Sequence, residues 1–385
     1  MRFNLIGTAM ILTLAIRNLF HDRMRLVVTL VGILFSIVLV AVQLGLFLGA
    51  RKMIIAMIEH SQGELWVTAF GAKSFEEGGI LLTPRERHAA LATPGVRRAV
   101  PLVVSFAEWR KPEGGSTNSV VVGADPADGG LAPWNVVEGS VEALTAPDAI
   151  AIDRSYLHDL GVKGVGDTAQ IETGRVKIKI LTDGIRSFTM APYVFTTLDR
   201  ARALLGAPGE NTTFFLVGTE PGVDVESVRR ELSTRLPNTE VLTKDEFRDR
   251  CLDQWLFSTG AGVALIGGAV LGLLVGTVIV AQTLYSSTKD HLIEFATLRA
   301  LGSSSGYIHK VILAQAGLSG VIGYILGMII ALAVVALSVH TALPIVMTPA
   351  LAAALFMLTL FMCAISAVSA IMKVTRIDPA MVFIR

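Results

Sequence analysis

The sequence predicts an integral membrane α-helical protein with four transmembrane helices and a large external α/β (α+β) domain inserted between helices 1 and 2. Only 17% of the 385 residues are charged, against about 25% in ordinary soluble domains. Three long runs, 26–50, 254–288 and 311–372, contain no Asp, Glu, Lys or Arg. The segment between the first two runs is polar and contains recurring short β-rich patterns. These observations together predict the fold class.

The uncharged runs define the spans. A helix needs about 20 apolar residues to cross a bilayer, so the first two runs hold one span each. The third run holds two, with Pro344 and Pro349 marking the turn between them. The predicted spans are 26–50, 258–284, 311–339 and 350–372. The first is expected to be an uncleaved anchor, because its apolar core exceeds the roughly 7–15 residues of a signal peptide.

Basic residues predict the orientation. Lys and Arg outnumber Asp and Glu in residues 1–25 (expected to form an amphipathic N-terminal helix), in the 285–310 loop and in the 373–385 tail, whereas the 340–349 loop contains no Lys or Arg. Short basic segments stay in the cytoplasm. Both termini and the 285–310 loop are therefore predicted to be cytoplasmic. Residues 51–255 and the 340–349 loop would then be periplasmic, on a multi-pass protein of the cell inner (plasma) membrane.

The external domain, residues 51–255, is predicted to have two lobes. Strand–helix–strand patterns at 51–106 and 206–253 suggest two βαβ halves of one small α/β sandwich. The stretch 107–205 is mostly β and is interpreted as an inserted β-rich lobe. A single mixed domain is the alternative.

The sequence offers no catalytic constellation. Residues 51–253 contain no Gly-x-Ser-x-Gly, no His-Glu-x-x-His and no pair of cysteines. Asp153, Asp159 and Asp167 lie close in sequence, but their context is typical of turns and helix ends. We therefore predict no catalytic residue and no metal site, and expect no nucleic-acid partner. Cys251 and Cys363 are not expected to form a disulfide.

Small residues recur in the second span. Every fourth position carries one, and the four share a helical stripe: Ala264, Gly268, Gly272 and Gly276. Such stripes let helix backbones approach closely in lipid, although glycine is also generally common in membrane helices. The stripe is predicted to be a helix-packing or dimer interface. The sequence does not decide between a neighbouring span and a sister subunit.

The 285–310 loop contains the string "EFATLRALG" (294–302). Leu292, Phe295 and Leu298 are predicted to share one face of a short helix, with Leu301 near them. Gly302 suits the left-handed stop after a helix. From the residues alone, this amphipathic helix could dock on lipid headgroups or on a partner protein.

The string and its position resemble the FtsX/MacB-type ABC transporter permeases. In that family the same loop is a coupling helix that seats in a groove of the ATPase. The positions that match the family motif are Glu294, Leu298, Arg299, Ala300, Leu301 and Gly302. Further resemblance lies in "VVVGADP", "AIAIDRSYLHDLGVKGVGDTAQI" and the closing "RIDPAMVF", and the N-terminal run and the tail look most like the DevC-like subgroup.

The resemblance implies a transporter subunit and not an enzyme. The chain lacks a Gly-x4-Gly-Lys-Ser/Thr loop, so it would bind no cofactor itself, and ATP with Mg would sit on a separate ATPase subunit. Two copies of the chain, as a homodimer, would assemble with two ATPase subunits.

The resemblance also implies further partners: a periplasmic adaptor (membrane-fusion) protein, an outer-membrane duct and membrane lipids, in a tripartite efflux assembly that exports an amphiphile or lipid-like substrate. Alternatives within the family are FtsX-like mechanotransmission to a periplasmic enzyme and a lipoprotein-releasing permease.

Overall fold

The computed structural model describes residues 2–339, 341 and 343–375, without the side chains of residues 2–9, 12, 292, 299–300 and 373–375. The Asp-Pro-Ala run of the predicted tail (378–380) and two positions of the 340–349 loop lie outside the described residues. The chain divides into two compact units. We call Met1–Gly49 with Val263–Arg385 the membrane unit and Ala50–Gly262 the large unit, and describe each by itself.

Helices and strands follow one another in the order expected for a domain inserted into a helical bundle. The α-helices are α1 (Arg2–His21), α2 (Arg23–Glu59), α3 (Pro84–Leu91), α4 (Leu157–Leu160), α5 (Leu198–Leu205), α6 (Val225–Arg235), α7 (Lys244–Leu252), α8 (Ala261–Asp290), α9 (Leu292–Ala300), α10 (Ser305–Ser338) and α11 (Pro349–Thr375). The β-strands are β1 (Leu65–Ala69), β2 (Val96–Arg110), β3 (Ser116–Gly123), β4 (Val136–Glu138), β5 (Ala149–Asp153), β6 (Thr168–Ile171), β7 (Gly174–Thr182), β8 (Tyr193–Thr196), β9 (Phe214–Thr219) and β10 (Thr239–Thr243).

Four of these helices are long and apolar enough to cross a membrane: α2, α8, α10 and α11. This agrees with the predicted fold class. Helices α2, α10 and α11 begin before their predicted spans, whereas α8 begins at Ala261, after the predicted 258, and continues to Asp290, where the prediction ended at 284. The difference arises because hydropathy marks only the apolar part of a helix, whereas backbone hydrogen bonding continues through charged residues.

The predicted N-terminal helix 1–25 ends earlier in the structure. Helix α1 stops at His21, and Asp22 separates it from α2. The Asp22 carboxylate accepts a hydrogen bond from the backbone N–H of Arg25 (3.3 Å), and its carbonyl accepts from the N–H of Leu26 (3.0 Å). Asp22 thus satisfies amide groups at the start of α2 that have no partner within the helix.

In the membrane unit, α2 packs against the other spans. Ile33 and Ile37 of α2 lie in one buried cluster with Val280 of α8, Ile312 of α10 and Met362 of α11. In lipid, close packing rather than hydrophobicity drives helix association. The cluster therefore locates the contacts that hold the four spans together.

One lobe of the large unit is a four-stranded antiparallel sheet with the order β10-β1-β9-β2. Helices α3 and α6 connect the strands of its two βαβ halves. Helix α3 begins with a capping box formed by Thr83 and Glu86. Helix α6 buries Val228 and Leu232 against the sheet and is capped by Asp224. Local capping and a 3.6-residue apolar period explain why these segments are helical.

The other lobe is a closed barrel. Its strands pair in the order β2-β3-β8-β5-β7, and β6 closes the circle by pairing with both β7 and β2. The interior is filled by side chains such as Trp109, Ile150, Ile178 and Val194. Closure leaves no free edge between these strands, which protects them from pairing with other chains.

Strand β2 belongs to both lobes. Its first part, up to Leu102, pairs with β9, and its second part, from Val103, pairs with β3. The predicted border between the lobes at 106/107 is therefore wrong by about four residues on this side. An uninterrupted run of strand-forming residues gives no sign of where its partners change.

Candidate functional site

Helix α9 packs one face against the membrane unit. Phe295 and Ala296 are buried, with 2% and 4% of their surface exposed. Phe295 and the half-buried Leu298 join the cluster that contains Leu284 of α8 and Ile308 of α10. Burial of an aromatic ring at this depth contributes about 2 to 3 kcal/mol. This face therefore fixes α9 to the spans on either side of it.

The opposite face of α9 is open. Ile293 is 66% exposed, and Glu294 and Thr297 are also exposed. Leu301, which lies just beyond the end of the helix, is 80% exposed. The expectation that Leu301 lies near the buried face is wrong. Leu301 follows the last residue of α9, in the turn that ends at Gly302, so its side chain does not continue the helical stripe.

A histidine orients the carboxylate on this open face. The Nδ1 atom of His291, in the turn just before α9, lies at hydrogen-bond distance, 3.0 Å, from Oε2 of Glu294. Sequence reasoning missed His291, which precedes the family motif. An exposed carboxylate next to the exposed side chain of Ile293 suits a protein partner better than a lipid surface, because anionic headgroups repel the carboxylate.

The chain turns sharply after α9. Gly302 adopts φ +96°, a conformation that side chains rarely tolerate. The N–H of Ser303 donates to the carbonyl of Leu298 at 3.0 Å. Ser304 then caps α10 by accepting from the N–H of Tyr307 at 3.3 Å. The side chains of Arg299 and Ala300, the other predicted site residues, lie outside the described part of the structure.

An ionic cluster links the end of α8, just before α9, to the start of α2. Arg25 donates to Asp290, the last residue of α8, and pairs with Asp22 at 3.1 Å. The rings of His21 and His291 lie edge to face, with centroids 6.4 Å apart. The sequence separation of 265 residues between Arg25 and Asp290 hides this contact from any local pattern.

The glycine stripe of α8 faces α2 of the same chain. A Cβ atom at Gly268 would lie 2.7 Å from Gln43, and one at Gly272 would lie 3.0 Å from Leu39. At the level of Gly276, the Ser36 hydroxyl donates to the carbonyl of Gly272 at 2.8 Å. Ala264, the first predicted member of the stripe, is exposed. Of the two contacts left open by the sequence, these glycines make the one to a neighbouring span.

The described residues show no alternative chemical centre. Among them, no group of three or more His, Cys, Asp or Glu side chains is arranged to hold a metal ion. Cys251 and Cys363 are both free and buried. The most distinctive exposed constellation that the structure brings together is thus the open face of α9.

Two family models match this chain. Residues 26–235 match the family model of the MacB-like periplasmic core domain, and residues 266–379 match that of the FtsX-like permease C-terminal region. The first match alone spans more than half of the chain. The chain belongs to the FtsX/MacB-type ABC transporter permeases. Membership implies an ATPase partner, because such permeases are the membrane subunits of ABC transporters.

Similar proteins carry the same designation. An uncharacterised ABC transporter permease of Mycobacterium tuberculosis is 25% identical over 372 residues, covering 96% of this chain and 98% of the relative. One from Methanocaldococcus jannaschii is 25% identical over 183 residues, 45% of this permease and 44% of that relative.

Two solved structures are similar to about half of this chain. One is the periplasmic region of MacB from Actinobacillus actinomycetemcomitans, with a TM-score of 0.39, 9% identity and coverage of 51% of this permease and 96% of that chain. The other is the extracellular domain of the noncanonic ABC-type transporter YknZ from Gram-positive bacteria, with a TM-score of 0.36, 14% identity and coverage of 47% and 99%. The assignment to the DevC-like subgroup stays a prediction.

Proposed function

We propose that this permease is the membrane subunit of an ABC exporter and that α9 docks into a separate ATPase subunit. One observation carries the proposal. The buried face of α9 is fixed to the spans by Phe295, while its other face presents Ile293 and Glu294 to solvent and Leu301 is exposed just beyond its end. A helix anchored on one side and exposed on the other can pass a displacement from a partner to the spans.

The contacts around α9 suggest how the displacement spreads. Phe295 packs against α8 and α10, and Asp290 at the end of α8 pairs with Arg25 of α2. A movement of α9 would therefore act on three spans together. Exposed ion pairs contribute only about 0 to 1 kcal/mol, so the Arg25–Asp290 pair directs the motion and supplies little of its energy.

The energy has to come from nucleotide binding in the whole assembly. Driving a two-state equilibrium almost completely from one state to the other takes about 5.5 kcal/mol of differential binding. A single contact of Glu294 or Arg299 is too weak for this. We therefore propose two copies of the permease, as a homodimer, closing together with two ATPase subunits that hold ATP and Mg.

The predicted orientation places the large unit on the far side of the membrane, where it would move when the spans move. In an efflux assembly it would contact a periplasmic adaptor protein and, through it, an outer-membrane duct. An amphiphile or lipid-like cargo is consistent with the resemblance to the DevC-like subgroup. In this scheme the large unit is the part that moves the cargo, and the cargo does not need a path between the uncharged spans.

Charge reversal on the open face tests the docking. We expect Glu294→Lys, and separately Arg299→Glu, to lower the affinity for the ATPase about tenfold, the effect of losing roughly 1.4 kcal/mol at an interface. The measurement is the amount of ATPase that co-purifies with the tagged permease. Glu138→Lys makes the same charge change at an exposed position of the large unit and should leave co-purification unchanged.

Thermal unfolding of the permease alone serves as the folding control, and none of these variants should shift it. Equal ATPase recovery from wild type, Glu294→Lys and Arg299→Glu would contradict the proposal.

A further inference from the structure

The large unit contains a buried carboxyl group, that of Glu76. Glu76 belongs to the segment between β1 and α3, here called the strap (residues 70–82). The strap turns Ser74, Phe75 and Glu76 inward, and Glu76 is only 6% exposed. Carboxyl groups are almost never buried to this extent without specific partners.

Glu76 has partners on two other elements. Its Oε1 atom lies 2.5 Å from the hydroxyl of Tyr193, which donates to it from barrel strand β8. Its Oε2 atom accepts from Nε1 of Trp255 at 3.1 Å. One carboxyl group therefore ties the strap, the barrel and the segment that contains Trp255.

Trp255 lies in a segment with an unusual backbone conformation. Residues Asp253–Ser258 form a six-residue π-helix between α7 and α8, and such π-helical turns are rare and concentrate at functional positions. Only Thr259 and Gly260 separate it from Ala261, where α8 begins. Gly260 adopts φ +80°. The hydroxyl of Thr259 donates to the carbonyl of Trp255 at 2.6 Å.

Additional contacts hold Trp255 in place. The ring of Phe188 lies edge to face with that of Trp255, with centroids 6.1 Å apart. Gln254, next to it, lies 3.5 Å from the carboxylate of Glu77 in the strap. Phe257 points outward, with 47% of its surface exposed. The π-helix therefore has one face fixed to the large unit and one face free.

The partners of Glu76 are neutral hydrogen-bond donors. Burial raises the pKa of the Glu76 carboxyl, and hydrogen bonds, foremost the one with Tyr193, offset this only in part. The titratable groups that face it are Tyr193 of β8 and Cys251 of α7, and burial raises the pKa of each. Arg250, adjacent to Cys251, is paired with Glu240.

The Trp255 N–H can only donate and therefore needs an acceptor oxygen on Glu76, whereas the Tyr193 hydroxyl can also accept. A neutral carboxyl group, with one acceptor oxygen and one O–H donor, holds both partners when its O–H donates to the Tyr193 hydroxyl. The amide of glutamine has the same shape and also offers one acceptor and one donor side. Glu76→Gln is therefore a conservative substitution that can keep both hydrogen bonds.

We propose that Glu76 is a positioning residue that joins the segment leading into α8 to barrel strand β8, so that displacement of α8 reaches the barrel through the Trp255–Glu76–Tyr193 contacts. This inference rests on the proposed function, since it needs ATP-driven movement of α8. Only two residues separate the π-helix from α8, so a displacement of α8 acts directly on the π-helix, in which the indole N–H of Trp255 is held by Glu76.

The test measures the displacement of the barrel directly with a spin label. A nitroxide label is attached at Val137→Cys on β4, which is 51% exposed, whereas the native Cys251 and Cys363 are buried. The distance between the labels of the two copies is measured by pulsed electron resonance in the full permease–ATPase assembly, nucleotide-free and trapped with ATP.

We expect wild type and Glu76→Gln to show an ATP-dependent distance change, and Trp255→Phe and Glu76→Ala to lose it. ATPase co-purification and ATP hydrolysis should persist in all of them, since the contacts with the ATPase lie in the membrane unit. Phe257→Ala, in the same π-helix but on its exposed face, is the matched control and should behave as wild type.

Trp255→Phe removes the indole N–H and keeps an aromatic ring, so it is the variant least prone to misfolding. A distance change in Trp255→Phe equal to that of wild type would overturn the inference. So would equal loss in Phe257→Ala, because the effect would then belong to the π-helix in general. If wild type itself shows no ATP-dependent change, the proposed function fails together with the inference.

Discussion

At the scale of single residues, Asp153 shows how much one buried carboxylate can organise. It is 1% exposed and accepts hydrogen bonds from the N–H groups of Ser155 (3.0 Å) and Ile185 (2.7 Å) and from the hydroxyl of Thr182 (3.2 Å). The sequence context of Asp153 indicated turn chemistry, which the Ser155 contact fits. The long-range contacts to residues 182 and 185 could not be inferred from that context.

Asp153→Ala should therefore destabilise the large unit by about 3 kcal/mol, because several buried donors would lose their acceptor. Thermal unfolding of the full permease in nanodiscs measures this. Asp159→Ala is the matched control: its exposed carboxylate lies 3.6 Å from the exposed His158 ring, and the change should stay within about 0.5 kcal/mol. Equal stability of the two variants would show that the buried hydrogen bonds contribute little.

Glu76 gives the large unit a pH dependence with a definite sign. Burial raises its folded pKa above the ordinary value of 4.5, so the native state holds the proton more tightly than the unfolded chain does. The stabilisation is complete below pH 4.5 and is lost as pH rises through the raised folded pKa.

Glu76→Gln carries no titratable proton at this position. The difference in melting temperature, wild type minus Glu76→Gln, should therefore fall as pH increases through that window. A constant difference across the acidic to neutral range would mean that Glu76 does not change protonation within the range.

At the scale of helices, the contact between α2 and α8 depends on glycine. A Cβ atom at Gly276 would collide with the side chain of Ser36 and approach the sulfur of Met362 to 3.0 Å. Gly276→Ala should destabilise the membrane unit by about 1 to 3 kcal/mol, the usual cost of overpacking.

Gly267, on the same helix, has no atom within 4 Å of such a Cβ. Gly267→Ala is expected to leave thermal stability in detergent unchanged or slightly higher, since alanine favours helix. Similar stability losses in both variants would point to an effect of alanine on α8 itself and not to contact with α2.

The two faces of α9 should separate folding from docking. Phe295→Ala should destabilise the permease alone by about 3 to 5 kcal/mol, as expected for a buried aromatic ring. Ile293→Ala, on the open face, should change the stability of the isolated permease by no more than about 0.5 kcal/mol and yet reduce ATPase recovery. Thermal unfolding and ATPase co-purification of both variants check this. A loss of stability in Ile293→Ala together with a loss of ATPase recovery alone in Phe295→Ala would show that the two faces are wrongly assigned.

Only part of the environment of α9 could be predicted from the sequence. Phe295 and Leu298 could be placed on one face because a helical period is local. The pairing of Arg25 with Asp290 could not, because it joins positions at the ends of two different spans. The open face could be recognised only once the structure showed which side of α9 the spans cover.

At the scale of the whole molecule, the fold class followed from hydropathy and charge alone. Four spans and a large inserted α/β domain required only uncharged runs and polar strand patterns. Closure of the barrel was beyond such reasoning, since β6 pairs with β2 across some sixty residues and with β7 beside it. The pattern of a strand reveals its faces, and its partners depend on the complete sheet.

The central claim is that the open face of α9 meets a nucleotide-hydrolysing subunit. The most direct measurement places a photo-crosslinking amino acid at Ile293 in native membranes and identifies the proteins that become attached to the permease. The account predicts an adduct with a chain that carries a P-loop ATPase motif. Adducts confined to lipids, or to proteins outside the cytoplasm, would contradict it.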